Sequence, residues 1–204
     1  MSFFNSNWWL VPLIITIFSG VLCPAMGTVL ITHKRLLQVN LISHCVLPGL
    51  ALALALGAPP SVGGVISGLL GALITESLTN KRNDNYEAIM NTILAGMLGL
   101  GVLLIPLLGI RIDLEAVLFG DLLTANLGDL TRTLIAFLVF TALMLFGYEK
   151  IIYVGLDQEG AAASGINVYL LNLALSFTTA LVIVSSMSAV GVILVIALLS
   201  TPTL

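Results

Sequence analysis

The stretch Ser43-His44-Cys45-Val46-Leu47-Pro48-Gly49 lies inside a predominantly apolar run, Leu36–Leu56. This run is as long as the ~20 residues that an α-helix needs to cross the hydrocarbon core of a bilayer. His44 lies near its middle, where a polar imidazole costs free energy unless it is paired. Pro48 and Gly49 follow and predict a kink or an unwound turn. We therefore predict a membrane helix that carries a functional polar side chain at mid-depth.

The composition of the whole chain indicates the same class of protein. Hydrophobic residues make up 59% of the 204 residues and charged residues 8%, against about 25% charged in ordinary soluble domains. The net charge of −3 gives no reason to expect a nucleic-acid partner. Cys23 and Cys45 lie in apolar segments and are predicted to be buried free thiols. The chain is predicted to be an all-α, polytopic membrane helical bundle in a lipid bilayer.

Seven apolar segments can be counted, and most have the length of a membrane-spanning helix. They are Trp9–Thr32, Leu36–Leu56, Ser61–Leu78, Ala88–Ile110, Thr131–Gly147, Ile166–Met187 and Ala189–Leu204. The third and the last are short for a span. Because no repeat of fixed period and no Ser- or Pro-rich linker divides them, residues 1–204 are predicted to form a single transmembrane domain.

Basic residues in the short loops predict the orientation, because cytoplasmic loops are enriched in Lys and Arg. Lys34 and Arg35 follow the first segment, Lys81 and Arg82 follow the third, and Lys150 follows the fifth. Alternation of the segments places these three loops on the same side, which we predict to be the cytoplasm. The N-terminus would then lie outside.

His44 is the first candidate site residue. Asn40 lies one turn before it, since positions i and i+4 share a helix face. The imidazole lies ~12 Å along the helix from Leu36, near the midplane of a ~30 Å core. Imidazole nitrogen and amide oxygen are ligands for divalent transition metals, so His44 and Asn40 are predicted to bind metal. A histidine hydrogen-bonded between helices is the alternative, and a metal site would need further ligands from other helices or another chain.

A second candidate is the polar segment between the fifth and sixth apolar segments. Asp157 occupies an N-cap position, acidic residues fill the first turn, alanines follow, and Gly165 is placed to end the helix. This pattern predicts a short helix that lies across a loop. Its alanine face suits docking into a groove on a cytoplasmic partner, and a plain helical connector is the equally favoured alternative.

The stretch Asn40–Gly49 resembles the signature D-x-x-S-H-x-x-x-P-G of the membrane permeases of manganese, zinc and iron ABC importers. Three further stretches are similar to the same family in the same order. They are Ala88–Leu104, Leu118–Leu123 and Gly191–Pro202. Together the four ordered motifs cover most of the chain and are more specific than any one of them.

This resemblance implies the fold of a type II ABC importer permease and a transport subunit rather than an enzyme. The implied cargo is a divalent metal, and the hard oxygen donors beside His44 favour Mn²⁺ over Zn²⁺ or Fe²⁺; no resident cofactor is expected. The implied partners are a cytoplasmic ABC ATPase, an extracytoplasmic metal-binding protein and a second copy of the chain, in the plasma (inner) membrane of a bacterium. The sequence contains no nucleotide-binding G-x-x-x-x-G-K-S/T motif, so ATP hydrolysis is expected in a separate chain.

The segment Asp157–Gly165 is similar to the coupling helix of that family, which contacts the ATPase subunit. The residues implied in this contact are Asp157, Gln158, Glu159, Ala161, Ala162 and Gly165. A stand-alone, ion-coupled secondary transporter or channel is the alternative function, and it would need no docking helix. A membrane metalloenzyme would need more intramembrane ligands or an H-E-x-x-H helix, which the sequence lacks.

The chain departs from the family pattern in two respects. Asn40 stands where the family has Asp, and a neutral oxygen in place of a carboxylate should weaken divalent binding. Family members also continue for further membrane helices beyond the Gly191–Pro202 motif. The chain is therefore expected to lack the last C-terminal helices of the family.

Overall fold

The computed structural model describes residues 9–79, 86–109, 120 and 127–201. Within these residues the structure contains eight α-helices and no strand, so the all-α prediction is confirmed. In chain order the helices are α1 (Leu10–Thr32), α2 (Leu36–Ala55), α3 (Pro60–Thr79), α4 (Tyr86–Leu107), α5 (Leu127–Leu156), α6 (Gln158–Ala163), α7 (Val168–Val190) and α8 (Val192–Ser200).

Six of these helices, α1 to α5 and α7, are long and apolar enough to cross a membrane. They correspond to the first six predicted segments. The predicted bounds of the fifth segment, Thr131–Gly147, are wrong, because α5 has 30 residues and ends at Leu156. No proline interrupts the residues after Gly147, so the helix continues beyond its apolar part. Lys150, predicted to lie in a loop, is therefore part of α5.

The seventh predicted segment, Ala189–Leu204, contains the nine-residue helix α8 within the described residues. Gly191 separates it from α7 with φ +83°, a left-handed conformation that glycine adopts without a steric penalty. Nine residues rise only about 14 Å, which is less than half of the hydrocarbon core. Residues 202–204, Lys81, Arg82 and most of the Leu118–Leu123 motif lie outside the described residues.

The chain divides into two compact units. The first comprises the described residues within Met1–Lys34, Asp113–Ile166 and Ser185–Leu204, and the second comprises those within Arg35–Ile112 and Asn167–Val184. The single domain expected over residues 1–204 stays a prediction.

In the first unit, α1 packs against α5 and α8. The rings of Phe18 and Phe137 meet edge to face with centroids 5.1 Å apart. A Cβ atom on Gly27 would overlap the backbone of Leu199, so α1 and α8 are in direct backbone contact at this point. The thiol of Cys23 is free and buried, as predicted.

In the second unit, α2 lies between α3 and α4 and is mostly buried. A Cβ on Gly49 would overlap the backbone of Gly63, and one on Gly71 would overlap the free, buried thiol of Cys45. Small residues at these positions let membrane helices approach closely. This packing fixes the orientation of α2, the helix that carries His44.

Candidate metal stripe and coupling segment

Asn40 and His44 lie on one half-buried stripe of α2, which continues one turn further to Leu47. Their neighbours in the chain, such as Val39 and Cys45, are buried. The structure thus places both predicted ligands one turn apart on a half-buried face of α2. We call Asn40 and His44 the polar stripe; the metal-binding role of these two residues stays a prediction.

The helix α2 is continuous through Pro48, so the turn is not unwound there. The hydroxyl of Ser67 donates a hydrogen bond to the carbonyl of Cys45 and so supports the backbone beside the proline. Proline has no N–H, and the carbonyl of His44 therefore lacks its usual intrahelical donor four residues later.

The polar stripe by itself is an incomplete metal site. Among the residues that the structure describes, no group of three or more His, Cys, Asp and Glu side chains could hold a metal ion. His44 and Asn40 offer one imidazole nitrogen and one amide oxygen, whereas protein metal sites have four or more ligands. Further ligands are needed to close a site around these two.

The short helix α6 has the caps that the sequence predicts. Asp157 Oδ1 accepts a hydrogen bond from the backbone N–H of Gly160 at 2.9 Å. At the other end Gly165 adopts φ +82°, and its N–H donates to the carbonyl of Ala162 at 3.0 Å. The segment is therefore a defined element with fixed ends.

One alanine of α6 is buried and two are exposed. The helix packs on α5, and Ala161 is fully buried. Ala162, Ala163 and Glu159 are exposed, as is Leu156 just before the helix, at 79%. Ala161 points into its own chain, because successive residues are about 100° apart on a helix and Ala161 lies on the side that packs on α5. The docking role predicted for this segment, Ala161 included, stays a prediction.

A buried polar cluster in the second unit is not predicted by the sequence patterns above. The guanidinium of Arg35 forms an ion pair with Glu76, and the Asn172 amide nitrogen donates to Glu76 Oε1 at 3.2 Å. The signal available in the sequence is the charge of Glu76, because an acid within an apolar span is costly unless it is paired. Arg35, assigned above to a loop, thus has a buried partner.

The six long apolar helices define a multi-pass helical membrane protein. The model of the ABC 3 transport family matches residues 7–204, and the chain belongs to this family.

The chain is also similar to membrane proteins of metal transport systems. The chain is 34% identical over 191 residues to the chelated iron transport system membrane protein YfeD of Yersinia pestis, covering 93% of this chain and 64% of that protein. It is 32% identical over 188 residues to the manganese transport system membrane protein MntC of Halalkalibacterium halodurans, covering 91% and 64%. The chain thus spans slightly less than two thirds of the length of these relatives.

Two solved structures share the fold. PsaBC from Streptococcus pneumoniae in complex with Fab superposes with a TM-score of 0.78 at 29% identity, covering 96% of this chain and 71% of that one. A metal-chelate type ABC transporter in an inward-facing conformation gives a TM-score of 0.62 at 20% identity over 90% of this chain and 65% of that one. The second similarity concerns the fold alone.

Proposed function

We propose that this chain belongs to the permease subunit of an ATP-driven importer of a divalent transition metal, with manganese favoured over zinc and iron. The observation that carries the proposal is the polar stripe, which places His44 and Asn40 on a half-buried face of α2 in a member of the ABC 3 transport family. The names of the manganese and iron transport relatives support a metal as the cargo.

The donor atoms on the stripe favour manganese. Asn40 offers an amide oxygen and His44 an imidazole nitrogen. Carbonyl oxygen ligands suit Mn²⁺, whereas thiolates select softer metals. The nearby thiol of Cys45 is buried and faces Gly71, so it is kept away from the stripe. A second copy of the chain would contribute the same two side chains and enlarge the ligand set.

We assign α6 as the coupling helix, which would contact a cytoplasmic ATPase subunit. Its exposed residues Gln158, Glu159 and Ala162 would form the contact, while Asp157 and Gly165 hold its two ends. The predicted positive-inside orientation puts this helix in the cytoplasm and the N-terminus outside.

The packing of α6 suggests how movement would be transmitted. Ala161 anchors the helix on α5, and the hydroxyls of Tyr153 and Ser164 lie 3.3 Å apart across the junction. Closure of the ATPases would displace α6 and, through these contacts, the 30-residue helix α5. In the proposed alternating-access cycle the pathway near the stripe opens to one side of the bacterial plasma membrane and then to the other, after an external binding protein delivers the metal.

Co-purification of the full-length protein with its candidate ATPase tests this proposal. We expect a stable complex and metal uptake into vesicles only when the ATPase and ATP are both present. Uptake by the permease alone, driven by an ion gradient, would instead support a secondary transporter and contradict the proposal.

A further inference from the structure

Two buried amide oxygens in the second unit have no hydrogen-bond donor among the described residues. They are Gln38 Oε1 and Asn172 Oδ1, in residues that are 1% and 2% exposed. Leaving a buried acceptor without a donor is unfavourable, and native proteins pair nearly all such groups with protein or with ordered water. The two oxygens therefore need a donor that none of the described residues supplies.

Exchanging the oxygen and nitrogen of either amide does not remove the problem. The Gln38 nitrogen donates to the hydroxyl of Ser176, which in turn donates to the backbone carbonyl of Asn172 at 2.8 Å. A reversed Gln38 would accept from this hydroxyl, but its buried amide nitrogen would then have no partner. The Asn172 nitrogen donates to Glu76, whose carboxylate only accepts when ionised. One polar atom of Gln38 thus stays unpaired in either orientation, and Glu76 orients the Asn172 amide.

The Gln38 side chain contacts the turn of α7 that carries Asn172 and Ser176. Asn172 and Ser176 are four residues apart and share a helix face, and the Gln38 amide rests on the Ser176 hydroxyl. The open oxygens consequently belong to the same small polar region, between the start of α2 and the start of α7.

The charge balance of this region decides which species fits. Arg35 Nη1 and Nη2 lie 2.8 and 3.3 Å from the two oxygens of Glu76, so the buried acid is already neutralised. A metal or ammonium ion would add an uncompensated buried charge, which is strongly unfavourable. Water is neutral, carries two hydrogens, and typically makes about three hydrogen bonds when buried.

We propose that ordered water binds at Gln38 Oε1 and at Asn172 Oδ1 and donates a hydrogen bond to each oxygen. The water completes a network that runs from Arg35 through Glu76 and Asn172 to Gln38 and joins the start of α2, the end of α3 and the start of α7. Gln38 lies two residues, about 200° of helix rotation, from Asn40. The water site is therefore on the opposite face of α2 from the polar stripe and does not depend on the proposed transport function.

An experimental structure of the full-length protein, at a resolution that shows ordered water, tests the site directly. We expect a density peak about 3 Å from each oxygen. Empty density there, or a protein donor paired with either oxygen, would overturn the proposal. The same measurement with Rb⁺ as the monovalent cation distinguishes the two species: an anomalous peak at the site would mean that a cation binds instead, whereas a peak without anomalous signal supports water.

Discussion

The guanidinium of Arg35 lies 2.8 Å from the carboxylate of Glu76, with side chains that are only 11% and 13% exposed. Removing one member of a buried pair leaves the other charge uncompensated, at a cost of about 3–5 kcal/mol. Arg35→Ala should therefore strongly lower the free energy of unfolding of the detergent-solubilised protein.

Arg132 provides the matched control for this prediction. Its guanidinium is 3.1 Å from Asp129, whose side chain is 9% exposed, but the Arg132 side chain is 43% exposed. Water solvates this guanidinium and weakens its attraction to the carboxylate. Arg132→Ala should have a small effect on the same unfolding transition. Equal losses of stability in the two variants would show that burial does not set the strength of the Arg35 pair.

His44→Ala should abolish metal uptake while the protein remains folded and inserted, because it removes the imidazole from the polar stripe. Cys45→Ala is the control, since that thiol is adjacent in the chain but buried against Gly71. Uptake of Mn²⁺, Zn²⁺ and Fe²⁺ in cells that lack the endogenous gene measures both variants at matched expression. Normal uptake by His44→Ala would remove the proposed role of this residue.

Asn40→Asp should keep or raise the affinity for the metal, because a carboxylate replaces a neutral oxygen one turn from the imidazole. Asn40→Leu, of similar size, should weaken it by about tenfold or more, the scale seen when groups that support a metal site are removed. The metal concentration at half-maximal uptake reports both changes. If Asp and Leu behave alike at this position, Asn40 does not contact the metal.

The approximate lengths of most membrane helices can be predicted from the sequence, because the thickness of the bilayer sets them. A span needs ~20 apolar residues, and α2 accordingly ends within one residue of its predicted bound at Leu56. The end of α5 could not be found in this way, because a helix can continue into polar sequence such as Glu149 and Lys150 for as long as no residue interrupts its hydrogen bonds.

The buried polar cluster and the burial of Ala161 could not be predicted, because both depend on contacts between distant parts of the chain. The partners of Glu76 are 41 and 96 residues away, at Arg35 and Asn172, and local spacing carries no information about them. The caps of α6 were predictable because Asp157 and Gly165 act within one turn. Which of its alanines is buried depends instead on how α6 packs on α5.

Ala162→Trp should weaken assembly with the ATPase and leave membrane insertion intact. Ala162 is exposed on α6, and overfilling a tight contact costs about 1–3 kcal/mol, which corresponds to about a 5- to 150-fold loss of affinity. Co-purification with the ATPase subunit measures the change. Ala55→Trp, an exposed alanine in the last turn of α2, should leave that assembly unchanged.

Ala161→Trp should behave differently from its neighbour, because Ala161 is fully buried where α6 packs on α5. We expect it to lower the melting temperature of the isolated permease, which Ala162→Trp should not do. If both tryptophan variants assemble normally and support coupled ATP hydrolysis, α6 is only a connector.

Transport by the purified system tests the central claim most directly. The full-length permease would be reconstituted into liposomes with its ATPase and metal-binding protein, and Mn²⁺ accumulation would be followed with and without ATP. The proposed function predicts accumulation that requires ATP and is lost in the His44→Ala permease at equal reconstitution. Accumulation without ATP, or undiminished accumulation through His44→Ala, would contradict it.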